Sequence, residues 1–114
     1  MKRRLLYFLI CLGLFAFDFQ KAKAVIHSWA GEVWVGGCKY LVSYYYDDVS
    51  RHGSVIWGGS CGSGHHSWLK SNSTPVEPVA NWTAFEQDYE TTEMEGDEDV
   101  ALATFNAGAA ESGW

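Results

Sequence analysis

The sequence predicts an all-β fold: a small antiparallel β-sandwich of two short sheets, formed after removal of an N-terminal signal peptide. Three observations carry this expectation. Residues 31–58 crowd Trp34, Tyr40, Tyr44, Tyr45, Tyr46 and Trp57 between Gly, Asp and Ser breaks, and aromatic and β-branched residues suit a pleated, half-buried surface. Short apolar runs recur with glycine-rich turns between them, the spacing of an all-β domain. No stretch after residue 24 shows a sustained 3.6-residue apolar stripe with helix caps.

The chain opens on an address. Lys2, Arg3 and Arg4 are a basic start, residues 5–17 are apolar, and Ala22-Lys23-Ala24 is a small-x-small cleavage pattern. Together they read as a signal peptide over 1–24. The apolar run is shorter than the roughly 20 residues a membrane helix needs, which disfavours the alternative of a retained anchor. Cleavage leaves 90 of the 114 residues, beginning at Val25. That is one small domain, expected to be exported and extracellular.

Six strand-like runs follow: 31–36, 39–46, 54–57, 66–70, 79–85 and 100–106. The first alternates Val33 and Val35 against Glu32 and Trp34, and Gly36-Gly37 turns it. In the second, Tyr45 points away from Tyr44 and Tyr46, since successive side chains face opposite sides of a sheet. Asp47-Asp48 and residues 50–53 form a polar turn before the third run, and residues 58–64 form a loop dense in glycine and serine. Residues 71–75 turn the chain after the fourth. The β-sandwich domain is placed at 25–106, with an acidic loop at 86–99 and a small-residue tail at 107–114. Eight of the fourteen residues in 86–99 are acidic, and like-charge blocks are as a rule solvated and mobile.

Without the leader only Lys39, Arg51 and Lys70 remain against thirteen acids, a net charge of −10 with His neutral. Such a surface repels nucleic acid and anionic membranes. Cys38 and Cys61 survive cleavage, and an exported chain meets oxidising conditions, so they are expected to form one disulfide. A metal site built from Cys61, His65 and His66 matches no standard ligand spacing, and no metal or cofactor is expected. The serines of residues 58–64 lack a nucleophile-elbow pattern, and the acids cluster in the expected loop rather than in a paired arrangement. The chain is therefore expected to act by binding and not as an enzyme. Tyr and Trp join an apolar body to a hydrogen-bonding tip, and the candidate contacts are Trp34, Tyr44, Tyr46 and Trp57, with Arg51 and His52 beside them.

The order of these residues resembles the lactococcin 972 family of secreted bacteriocins. Gly31, Trp34 and Gly36 look like its opening glycine–tryptophan motif, and Val42-Ser43-Tyr44-Tyr45 looks like its aromatic strand. His52-Gly53-Ser54-Val55 is similar to its His and following strand, and Ala103-Thr104-Phe105-Asn106 is a looser echo of its C-terminal motif. The resemblance implies an exported β-sandwich that kills related bacteria through a lipid-linked cell-wall precursor, without pores, enzyme activity or cofactor. The expected partner is a cell-wall precursor or wall glycan, with a homodimer as a further option. Nucleic acid and stable membrane insertion are not expected. The alternative is a secreted β-sandwich interaction or adhesion module that does not kill. Three features depart from the family pattern, whose members are typically basic and often lack cysteine: the acidic charge, the expected disulfide, and the acidic segment between Phe85 and Val100.

Overall fold

The structure, a computed structural model, describes residues 25–112. The expected signal peptide and the last two residues lie outside the described residues. In chain order the elements are β1 (Ile26–Val35), β2 (Cys38–Asp47), β3 (His52–Gly59), β4 (Gly62–Lys70), α1 (Trp82–Asp88), β5 (Tyr89–Glu95) and α2 (Glu98–Glu111). The five strands form one antiparallel meander in the order β1-β2-β3-β4-β5.

The turns follow from local chemistry. Val35 pairs with Cys38, and both intervening glycines have positive φ (58° and 80°). This is the tight two-residue hairpin that glycine accepts without strain. Between β2 and β3 the Asp47 carboxylate accepts from Val49 N (2.9 Å) and Ser50 N (3.2 Å), while Arg51 takes a φ of 61°.

The mainly β, antiparallel character stands, but the described strands form one sheet. The place of a second sheet is taken by helices packed on one face. Residues 79–85 and 100–106, expected as strands, enter α1 and α2 instead. Asn81 caps α1, its side chain accepting from Ala84 N at 2.9 Å. Asp97 caps α2, accepting from Asp99 N at 2.8 Å, and Glu98 and Asp99 fill the first turn where the helix dipole favours negative charge. Much of the acidic segment is thus structural: residues 89–95 are an edge strand and 97–99 start a helix. The small residues 107–111, read as a tail, are the last turns of α2.

The core lies between the sheet and the helices. Its sheet side includes Tyr40, Val42, Tyr44, Tyr46, Val55, Trp57 and Trp68, and its helix side includes Phe85, Val100, Ala101, Phe105 and Ala109. Trp68 meets Phe105 edge-on with centroids 4.9 Å apart, and Phe85 stacks on Tyr89 at 4.8 Å. Gly108 lets α2 lie against Tyr44, for a Cβ there would sit 2.0 Å from the ring.

Candidate binding surface

The alternation of β2 decides which aromatics can meet a partner. Tyr44 and Tyr46 are each 1 % exposed and Trp57 is 2 % exposed. These three expected contacts are core residues, because the helices cover the face on which they stand. Burial, reinforced by Tyr89 and Tyr46, pushes the Tyr44 hydroxyl pKa well above its ordinary value; the Ser112 side chain opposes this weakly.

Among the described residues nothing covers the other face of the sheet. Trp34 stands on it 66 % exposed, Leu41 62 % and Ile56 60 %, and Tyr45, Ile26 and Leu69 are also exposed. Trp34 is paired in register with Lys39, and the Lys39 ammonium holds Glu32 Oε1 at 3.0 Å. An indole and an ammonium therefore stand side by side where β1 turns into β2. The Cys38–Cys61 disulfide, with Cα atoms 6.1 Å apart, secures the same end. Trp34 was foreseen from the sequence; Leu41, Tyr45 and Ile56 were not, because alternation alone does not say which face the helices cover.

Arg51 and His52 lie at the opposite end of the sheet, where β2 turns into β3. His52 is exposed on the open face. The Arg51 guanidinium donates to Ser71 O at 2.9 Å and ties down the loop after β4. Eight strand residues separate this end from Trp34, about 27 Å at 3.3–3.4 Å per residue. The six expected site residues are thus divided among the core and both ends of the sheet. They do not converge.

Of the three basic residues in 25–112, Lys70 is buried. It donates to Asn72 Oδ1 and to Thr74 Oγ1 (2.6 Å). Burial lowers its pKa, with Asp88 and Glu77 acting the other way and Arg51 adding slightly to the lowering. It anchors the turn after β4 and, with Glu77, Asp88 and Tyr89, lines a small cavity there. On β4 and β5, His65 Nε2 lies 2.9 Å from Glu93 Oε1 on the open face. Among the described residues no three His, Cys, Asp or Glu side chains gather as metal ligands, and no helix is long and apolar enough to cross a membrane.

No family model, no curated protein and no solved structure matches this chain.

Proposed function

We propose that this is an exported, bacteriocin-like protein that acts by binding, not by catalysis. Its target is a cell-wall component of related bacteria, either wall glycan or the wall precursor. The contact is the Trp34–Lys39 end of the open sheet face. One observation carries the reading: among the described residues, the most exposed large aromatic side chain stands in register with an exposed lysine on a face that neither described helix covers. An indole offers a flat apolar body to a sugar ring, and a neighbouring ammonium offers charge to a phosphate or carboxylate. Local placement is what such a site needs, because the net charge works against an anionic target.

Export fits the chemistry at Val25. Its backbone N donates to Asp48 Oδ1 at 3.0 Å. Cleavage after Ala24 would make that nitrogen an ammonium beside a carboxylate, a stronger hydrogen bond than the amide gives.

The acidic charge of residues 25–114 favours a second reading, an exported interaction module that does not kill. Growth inhibition separates the two. Purified protein beginning at Val25 is applied to near relatives of the producer, with and without Trp34→Ala. Inhibition lost with Trp34→Ala supports the bacteriocin reading. Wall binding without inhibition supports the module.

A further inference from the structure

The residues that follow the expected cleavage point are Val25-Ile26-His27. A histidine in third place behind a free amino group is a chelating sequence. The amino nitrogen, the next two amide nitrogens and imidazole Nδ1 close fused rings around one ion, with all the nitrogens in one plane. That plane suits Cu(II) and Ni(II), which favour tetragonal sites. It does not suit zinc, which takes tetrahedral ones.

The fold gathers both ends of this chelate on one carboxylate. Asp48 Oδ1 accepts from Val25 N at 3.0 Å, and Asp48 Oδ2 lies 3.3 Å from His27 Nε2. Asp48 stands in the turn after β2, and its backbone N donates to Val25 O at 3.2 Å. A carboxylate facing Nε2 keeps the ring proton on that nitrogen and makes Nδ1 the metal-binding one, the arrangement found behind most ligating histidines. Val25 and Ile26 are 54 % and 48 % exposed, and they begin an edge strand. Closing the chelate rings turns these two residues out of the extended backbone. At the end of an edge strand that leaves the rest of the sheet paired.

We propose that the amino terminus left by cleavage, Val25-Ile26-His27, binds a single Cu(II) or Ni(II) ion, with Asp48 as the positioning residue behind the imidazole. The amides of Ile26 and His27 each release a proton to solvent as their nitrogens bind, and the Val25 ammonium releases one as well. No electron is transferred. The site draws on one side chain and three backbone nitrogens, so it needs no cluster of side-chain ligands of the kind absent among the described residues. The net charge of −10 on residues 25–114 attracts cations. The inference rests on cleavage after Ala24, part of the export reading. It does not rest on wall binding, since Trp34 lies at the other end of β1, about 30 Å away at 3.3–3.4 Å per residue.

Intact mass of the exported protein gives its first residue, and a start other than Val25 overturns the site together with the cleavage point. The chelate itself is tested on protein released from a fusion so that nothing precedes Val25. Cu(II), added with excess glycine as a competing ligand, should bind one ion per chain. It should give the visible absorption and electron paramagnetic resonance spectra of a planar four-nitrogen site, and Zn(II) should not displace it. Protein beginning at Ala24, which moves His27 to fourth place, and His27→Ala should each bind at least about a hundredfold more weakly and lose those spectra. Asp48→Asn should keep the spectra and bind about tenfold more weakly. His65→Ala should bind as the unaltered protein does, with the fold of every variant checked by circular dichroism. Copper held without the four-nitrogen spectra, or as tightly after His27→Ala or with Ala24 retained, overturns the inference and leaves the export reading standing. Asp48→Asn protein that binds as tightly as the unaltered protein overturns the part given to Asp48.

Discussion

Cys38 and Cys61 are cross-strand partners in all but the ladder. The β2–β3 register pairs Leu41 with Gly58, and three further residues along each strand bring Cys38 opposite Cys61, where the disulfide forms. The bond fastens the β1–β2 turn to the β3–β4 turn. A loop spanning a sequence separation of 23 restricts the unfolded chain by about 3 kcal/mol. Reduction, or Cys38→Ser with Cys61→Ser, should lower unfolding free energy by about 2–4 kcal/mol in urea titration. A loss below about 1 kcal/mol would show that the sheet end holds without it.

His66 gives the protein a pH limit. It is 0 % exposed, packed against Trp68, Trp82 and Phe85, with Nε2 3.0 Å from Thr91 Oγ1. Burial pushes its pKa down to about 4 from an ordinary 6.5. The folded state therefore holds the neutral ring, while the unfolded chain takes up the proton below about 6.5. The stability from this site is full above about pH 6.5 and is lost as pH falls towards 4, by about 3 kcal/mol in all. Urea titrations from pH 7.5 to 4.5 should show this decline, and His66→Phe should flatten it.

Close packing of α2 rests on Gly108. A Cβ at that position would meet Tyr44 Cδ2 at 2.0 Å. Gly108→Ala gains about 1 kcal/mol of helix propensity, but overpacking of this kind costs about 1–3 kcal/mol. Gly108→Val adds further bulk and gains less propensity. It should clearly destabilise the protein and lower its melting temperature; an unchanged melting temperature would place α2 farther from the sheet.

Neighbouring tyrosines should differ sharply. Tyr44→Ala removes a buried ring and should cost about 3–5 kcal/mol, as large aromatic truncations in cores do. Tyr45→Ala acts on the open face and should change monomer stability by less than about 1 kcal/mol. Equal costs would mean that both faces of the sheet are covered.

The strand segments 31–35, 39–46, 54–57 and 66–70 were legible because period-two alternation and glycine turns coincide there; β1 begins earlier, at Ile26, and β3 and β4 run into residues 58–64, expected as a loop, leaving only Ser60 and Cys61 between them. The disulfide was legible from two cysteines in a chain expected to carry an export signal. The helices were not. The buried stripe of α2 runs through Val100, Ala101, Thr104, Phe105, Gly108 and Ala109, and half of it is Ala or Gly, too small to stand out as an apolar face. Asp97, with two further acids before Val100, carried an N-cap signal that the surrounding run of acids obscured. Missing the helices also reversed the site. With a second sheet expected, Tyr44, Tyr46 and Trp57 were equal candidates with Trp34; once helices cover their face, only Trp34 of the four stays open.

The central claim is that Trp34 and Lys39 make the contact with the wall. Isolated walls of a near relative of the producer are mixed with protein beginning at Val25, and the bound fraction is measured by co-sedimentation across a concentration series. The account predicts saturable binding, weakened at least tenfold by Trp34→Ala and clearly by Lys39→Ala, with His52→Ala close to wild type and all variants equally folded. Wild-type protein left wholly in the supernatant, or Trp34→Ala bound as tightly as wild type, would contradict it.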